Sequence, residues 1–347
     1  MSNAFYAYDR ISEHRFGERF GLDFEEFAAG QRFVHRPGIT LSQQDNVDES
    51  LDTVNAAMLH YDAAYAASTA FKHPLMVSTI TVQRLFGLGW KTFCRRIRLT
   101  GIESIAMTRP LYGGDTLYAE SEILAAEMHN EDVGTLRVAL RGVKPDGEQV
   151  AEIVYRCEVW RAGRGPRPAA GAAARAREPR FASHRLRDDG ALIEQTGIFF
   201  EDFEPGESFV HHPGRSVLRE EAITHALRSF EWNPLYHQAG AAAGEPAVAQ
   251  PWVVTIATTL TTRTFGRVAA NLAWKDLVFG AEVRAGDTIF SESTIRARRE
   301  SKSRPDEGIL TVTTRSVNQR AEEVLRFERT LLVYRRDGKH PYAAANY

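Results

Sequence analysis

Along the chain the apolar positions fall into two kinds of run, and both kinds recur in the same order. Across residues 74–90 the apolar residues stand at mixed helical spacing, with Pro74 at a place where a first helical turn tolerates it. Residues 251–265 repeat that pattern. Runs at 114–123, 135–143 and 150–160 follow the first helical segment. In the last of these, Ile153, Tyr155, Cys157 and Val159 alternate with Glu152, Arg156 and Glu158, the period of a half-buried strand. A partner run at 324–334 ends the second series. One long buried helix followed by several strands, twice over, predicts an α+β chain in which each half wraps a sheet around a helix.

The recurrence extends to residue identity. Phe24, Glu25, Phe27 and Gly30 are answered 176 positions later by Phe200, Glu201, Phe203 and Gly206. At the same shift Phe33-Val34-His35-Arg36-Pro37-Gly38 meets Phe209-Val210-His211-His212-Pro213-Gly214. Gly114-Asp115-Thr116 with Glu120-Ser121 meets Gly286-Asp287-Thr288 with Glu292-Ser293 at a shift of 172, so the second copy is slightly shorter between these landmarks. The chain therefore reads as two tandem domains, residues 20–162 and 191–347. A linker is expected at 163–190, a stretch rich in Ala, Arg, Gly and Pro without apolar periodicity.

Composition narrows the functional classes. At 347 residues, 43% hydrophobic and 25% charged, the chain supports two ordinary globular cores. A net charge of −2 gives no global basic field for nucleic acid or a membrane surface. Cys94 and Cys157 stand in neither a redox nor a zinc spacing, which suits a reducing cytoplasm. The first twenty residues are polar, so no signal segment is expected, and no apolar run is long enough to span a bilayer. His35, His211 and His212 recur between the copies and read as structural. His73 has no other ligand type at metal spacing, so no metal is expected.

Chemistry concentrates just before the first helical run. The segment from Asn55 through Met58-Leu59-His60-Tyr61-Asp62 to Ala63-Ala64-Tyr65-Ala66 has its counterpart in Glu231-Trp232-Asn233-Pro234-Leu235-Tyr236-His237. These segments resemble the MaoC-like (R)-specific hydratase/dehydratase family, whose motif runs Asp-x-Asn-Pro-Leu-His-x-Asp before an aromatic–Ala pair. The resemblance covers nearly the whole chain. It implies a tandem (double) hotdog, each repeat an antiparallel sheet wrapped around a central helix. It also implies reversible hydration of an α,β-unsaturated acyl-CoA thioester, with the CoA ester as substrate and no cofactor. Such a reaction needs a base to deliver water to the β-carbon and a proton for the α-carbon. It also needs fixed donors for the thioester oxygen, commonly a backbone N–H at a helix start.

Residue by residue, His60 matches the family's catalytic histidine. Asn55 stands five residues earlier, where the simple hydratases carry an aspartate. An amide cannot act as a base, so the resemblance has His60 moving the proton and Asn55 orienting the water. The competing reading of Asn55 is a cap. Ser78 takes the place of the glycine whose N–H faces the thioester oxygen. The Asn–His spacing resembles the mesaconyl-CoA (2-methylfumaryl-CoA) hydratases, which implies mesaconyl-CoA and β-methylmalyl-CoA as the reacting pair.

In the second copy Glu231 stands for the aspartate, Tyr236 lengthens the spacing to His237, and Pro251 offers no N–H near the helix start. The working site is therefore assigned to the first copy, with the second as a structural partner. Arg84 and Arg109 are candidates for an acyl carboxylate, and Arg95 and Arg96 for the CoA phosphates. The alternatives are a straight-chain (R)-enoyl-CoA hydratase or 3-hydroxyacyl-thioester dehydratase and, from another class, a non-catalytic acyl-CoA-binding module. A homodimer of double-hotdog chains is the candidate assembly.

Overall fold

The structure is a computed structural model that describes residues 2–166, 177–241 and 244–344. Its strands begin with β1 (Ser2–Tyr6), β2 (Tyr8–Ser12), β3 (Arg15–Glu18) and β4 (Arg32–Thr40). Four long strands complete the first half, β5 (Arg96–Met107), β6 (Thr116–Met128), β7 (Val133–Val143) and β8 (Gln149–Trp160). The second half opens with β9 (Ala182–Leu186), β10 (Leu192–Glu194), β11 (Ser208–Val210) and β12 (Arg215–Ser216). It closes with β13 (Val268–Phe279), β14 (Thr288–Glu300), β15 (Glu307–Val317) and β16 (Glu323–Tyr334). Helices α1 (Gln43–Asp52), α2 (Ala63–Ala67), α3 (Ser78–Leu88) and α4 (Trp90–Phe93) belong to the first half. In the second half lie α5 (Arg219–Arg228), α6 (Pro234–His237) and α7 (Gln250–Thr259).

Each half wraps a mainly antiparallel sheet around one helix. The first sheet runs β1-β9-β10-β4-β6-β7-β8-β5, and the second β13-β16-β15-β14-β11-β3-β2 with β12 beside β14. The β10–β4 and β11–β3 pairs are parallel. Helix α3 is the axis of the first sheet because Ile80 and Leu85, on different sides of the helix, are both buried in one core with Leu117, Leu140 and Ile153. Burying a side chain such as Leu85 contributes about 1.5–3 kcal/mol. In the second half α7 buries Val253, Ile256 and Ala257 against Ile289, Leu325 and Phe327. The α+β double hotdog expected from the sequence is the fold observed. On β8, Ile153, Tyr155, Cys157 and Val159 all point into the core.

Three details differ from the sequence expectation. The first central helix begins at Ser78 rather than Pro74, because Leu75 is held in a β-bridge to Tyr112. Its counterpart begins at Gln250, which places Pro251 at the second helical position. The third difference is larger and concerns the linker. Residues 163–190 do not act only as a linker, because β9 lies inside that stretch and pairs with β1 and β10. Residues 167–176 of the same stretch lie outside the described ones.

The strand order shows a reciprocal exchange. The β2–β3 hairpin, from the start of the chain, completes the second sheet through β11. The β9–β10 hairpin completes the first sheet through β4. These hairpins are themselves copies, since Tyr8, Phe16 and Glu18 correspond to His184, Leu192 and Glu194 at the shift of 176.

Each exchanged hairpin carries a buried glutamate to a histidine of the other copy. His35 Nδ1 meets Glu194 Oε1 at 2.9 Å, and its Nε2 meets Ser121 Oγ at 2.8 Å. In the second copy His211 Nδ1 meets Glu18 Oε1 at 3.1 Å and Nε2 meets Ser293 Oγ at 2.9 Å. Thr92 and Thr264 donate to the same carboxylates at 2.6 and 2.7 Å. The recurring His35 and His211 are therefore structural, fixed at the seam between the copies. Attraction to His35, Lys91 and His184 holds the Glu194 carboxyl at about 2, although its burial acts in the opposite sense and is the largest single influence.

Candidate active site

The site is assembled where α1, the His60 turn and the start of α3 converge. Helix α1 is set by a capping box, in which Ser42 Oγ accepts from Asp45 N and Asp45 accepts from Ser42 N. That places Asn46, fully buried, one turn inside the helix. From there a single amide reaches three backbone groups. Asn46 Nδ2 donates to His60 O at 2.7 Å and to Leu75 O at 2.9 Å, while Oδ1 accepts from Val77 N at 2.8 Å. Gln43 Nε2 also donates to His60 O, at 2.7 Å. The turn bearing His60 and the strand leading into α3 are thus clasped together. The sequence reading missed Asn46. Its signal was available at the shift of 176, where the second copy has Ala222.

The clasp also fixes the proton on His60. Its Nδ1 lies 2.7 Å from Leu75 O, and a carbonyl oxygen only accepts, so Nδ1 carries the hydrogen. Nε2 is then the basic nitrogen of a half-buried ring. Ser78 and Thr79 are the first two residues of α3, so their N–H groups have no carbonyl within the helix to reach. Ser78 is exposed and lines a cavity of about 290 Å³ together with Phe71, Leu75, Met76, Met107 and Leu111. Thr81, Thr108 and Arg109 add polar groups to a largely apolar wall. His60 is not part of the cavity lining, although Leu75, its hydrogen-bonding partner, is.

The remaining candidate residues divide. Asn55 Oδ1 accepts from Ala57 N at 3.0 Å, an Asx turn that shapes the loop, and no hydrogen bond joins Asn55 to His60. That geometry corresponds to the cap-like reading of Asn55. Val54, just before it, holds a positive φ of 56°, and Phe230 at the equivalent place holds 59°. Both copies therefore keep the same strained residue at this turn.

Arg95 is withdrawn from phosphate binding. It is ion-paired with Asp23 at 2.6 Å and donates to the carbonyl of Arg164 at 2.5 Å. Arg96 lies over the Phe86 ring, 5.2 Å from its centre, and does not line the cavity. Arg84 faces Asp45 at 3.4 Å. Of the four arginines, Arg109 alone lines the cavity, with Glu148 at 3.1 Å.

The second copy is built differently. Tyr236, not His237, stands at the position of His60, and Ala222 cannot clasp anything. His237 Nε2 donates to Trp232 O at 2.9 Å, so the ring turns back onto its own loop. Asn233 caps α6 through Leu235 N at 3.1 Å. Gln250 supplies an N–H at the start of α7, while Pro251 removes the next. The expectation that Pro251 abolishes the donor is therefore corrected: one of the two remains.

Neither cysteine supplies a nucleophile. Burial pushes Cys94 up to about 11 and Cys157 up to about 12. Among the described residues no group of three or more His, Cys, Asp or Glu could hold a metal ion, and no helix is long and apolar enough to cross a membrane.

A doubled sheet-around-helix unit, with a histidine turn clasped to the start of one central helix, defines a double-hotdog protein. The chain is similar to proteins of the MaoC-like double-hotdog family. Residues 181–344, the second copy, match the family model described as mesaconyl-CoA hydratase. A mesaconyl-CoA hydratase of Cereibacter sphaeroides is 31% identical over 159 residues, covering 43% of this chain and 44% of the relative. A β-methylmalyl-CoA dehydratase of Chloroflexus aurantiacus is 25% identical over 117 residues, 33% of each chain. The matched stretches thus span less than half the length of these curated relatives.

Among solved structures, a MaoC domain dehydratase from Chloroflexus aurantiacus aligns with a TM-score of 0.40 and 21% identity, over 91% of this chain and 98% of that one. A Mycobacterium tuberculosis protein with a double hotdog fold aligns at 0.38 and 19%, over 90% of this chain and 99% of that one.

Proposed function

We propose that the chain is a hydro-lyase that reversibly hydrates an α,β-unsaturated acyl-CoA thioester at the first copy, with mesaconyl-CoA and β-methylmalyl-CoA as the reacting pair. The observation that carries this reading is the clasped His60, with Nδ1 hydrogen committed to Leu75 O and Nε2 left basic beside the start of α3. In the hydration direction Nε2 takes a proton from water as the oxygen bonds to the β-carbon. Negative charge moves onto the thioester oxygen, where the N–H groups of Ser78 and Thr79 are fixed donors. The imidazolium then returns its proton to the α-carbon, so water is added across the double bond and the ring ends neutral. Asn55 has no step in this scheme, because its oxygen is engaged by Ala57 N.

The substrate pair is supported by the descriptions of the matching family model and of the two curated relatives. Arg109 supplies the one cation on the cavity wall for a second carboxylate. A second reading, a straight-chain enoyl-CoA substrate, is favoured by the otherwise apolar lining and by the engagement of Arg109 with Glu148. The test is the loss of the enoyl-thioester absorbance when enzyme is added to mesaconyl-CoA and, separately, to crotonyl-CoA. Turnover of mesaconyl-CoA is expected to exceed that of crotonyl-CoA, and the reverse order selects the second reading. No turnover of either, in protein that binds CoA esters, leaves an acyl-CoA-binding module. His60→Ala is expected to lower turnover about 100- to 10,000-fold, while His237→Ala leaves it near wild type. The assignment of copies is wrong if the two outcomes are exchanged.

We also infer a homodimer of such chains in a reducing cytoplasm. The free edges of the two sheets support the dimer, because β5 and β13 both leave apolar side chains in solvent, Ile102 and Ile105 on one and Leu272 and Trp274 on the other. The two unpaired cysteines support the compartment. Light scattering of the purified chain should give twice the mass of one chain, and Ile102→Lys with Leu272→Lys should halve it.

A further inference from the structure

The seam between the two copies holds a second cavity, of about 60 Å³, whose lining shares no residue with the cavity at Ser78. Six cationic side chains line it: Arg19, Lys91, Arg180, Arg185, Arg263 and Arg267. Only two acids, Glu18 and Asp202, share the lining. Three of the cations are matched within the fold. Arg19 pairs with Glu26 at 2.7 Å, Arg180 with Glu207 at 2.6 Å, and Arg263 faces Glu18 at 3.5 Å. The other three have no carboxylate within 4 Å among the described residues.

Their environments make that absence costly. Lys91 donates only to neutral oxygens, the Arg36 carbonyl and the Thr196 hydroxyl. Arg267 is 3% exposed; it donates to Gly197 O and Gln195 Oε1, and its Nη1 is buried with no hydrogen-bond partner. Arg185 Nε is also buried without a partner. Asp202, the acid beside these guanidiniums, is already ion-paired with Arg336. Burial pushes Lys91 down to about 8, and Arg263 and Arg267 add to the push against Glu194. Arg267 is pushed down to about 10 by burial, with Arg185 and Arg336 acting in the same sense. Water can fill a space of this size, and it can accept from an orphaned N–H. It cannot supply the missing negative charge.

We propose that this seam cavity is an anion site that takes a phosphate-type group between Lys91, Arg185 and Arg267. The fork of a guanidinium suits the oxygens of a tetrahedral anion, and two such forks with an ammonium balance a dianion. The group arrives either as free phosphate or as a phosphate of coenzyme A. Because the three side chains come from both copies, from α4, from β9 and from the segment after α7, the bound anion also ties the copies together.

The experiment compares the thermal midpoint of the full chain in potassium phosphate and in potassium chloride at equal ionic strength, with a parallel series in coenzyme A. Calorimetric titration of each ligand gives the affinity. Phosphate is expected to raise the wild-type midpoint, and Arg185→Gln to weaken phosphate binding about tenfold. In chloride Arg185→Gln is expected to raise the midpoint, because it removes like-charge repulsion; a side chain with a merely structural role would lower it. Lys91→Met is the second variant and should lose the phosphate increment in the same way. An increment seen only with coenzyme A, and lost in Arg185→Gln, assigns the phosphate to the coenzyme. A phosphate increment unchanged in both variants, or none with either ligand in the wild type, overturns the proposal.

Discussion

Asn46 shows how much of a candidate site can rest on a residue that does not line its cavity. One buried amide ends on His60 O, Leu75 O and Val77 N, and among the described residues it is the one partner of that N–H. Asn46→Ala leaves Val77 N unsatisfied, while His60 O keeps Gln43 Nε2 and Leu75 O keeps His60 Nδ1. It should cost about 1–3 kcal/mol in urea unfolding and should also depress turnover, because the Leu75 carbonyl that orients His60 loses its anchor. Asn46→Asp keeps an acceptor for Val77 N but sets a carboxylate oxygen against the His60 and Leu75 carbonyls, so it should be no more stable than Asn46→Ala. If Asn46→Ala unfolds like the wild type, the clasp is not what holds the turn. The sequence singled out His60 and Ser78 as candidates because motif spacing follows the order in which chemistry meets the chain. It did not show Asn46, since a polar residue on a polar helix has no periodic signature, and only its contrast with Ala222 marks it. The arginines failed for a related reason. Charge clusters do not reveal their partners, and Arg95 is bound to Asp23 across the fold.

At the scale of elements, the long strands were legible because one face of each is buried, as the alternation of Ile153, Tyr155, Cys157 and Val159 shows. Strands β5 and β13 escaped detection because they lie at the sheet edges, mostly exposed, and their registers shift several times against β8 and β16. Hairpin β9–β10 escaped because strands of five and three residues next to an Ala- and Arg-rich stretch look like linker. The repeat itself held the clue, in Glu18 and Glu194.

These hairpins also carry a difference with a measurable pH signature. Tyr8 OH donates to Thr264 in one seam, and His184 Nε2 takes the same place against Thr92 in the other, at 2.7 and 2.9 Å. Burial lowers His184 from the usual 6.5 to about 4, so the folded chain holds it neutral. Between these values the unfolded chain binds a proton that the folded chain refuses, and stability must fall as pH drops from 6.5 to 4. Glu194, held at about 2, adds a further loss only below its usual 4.5. His184→Tyr, which copies Tyr8, should flatten the urea midpoint across the upper window and leave the lower one intact. An unchanged slope between pH 6.5 and 4 would exclude His184 as its source.

The whole molecule is held together by that exchange rather than by a boundary between two domains. Fragment 1–166 carries β2–β3, which belong to the second sheet, and lacks β9–β10, which complete the first. In that fragment His35 has lost Glu194, its buried partner, and Phe33 has lost the strand it pairs with at Leu192. Fragment 177–347 is deprived in the same way, since His211 needs Glu18 and the aromatic cluster around Phe209 needs Tyr8 and Phe16. A buried glutamate or histidine without its partner costs several kcal/mol, and each fragment would carry such a defect together with an open sheet edge. Each fragment expressed alone should therefore be insoluble or unfolded. Expressed together, they should elute as one complex with protected amides in β4 and β11, because each supplies the hairpin the other requires. Two fragments that fold singly and do not associate would show that the sheets are autonomous, and that the crossed hairpins add nothing to their stability.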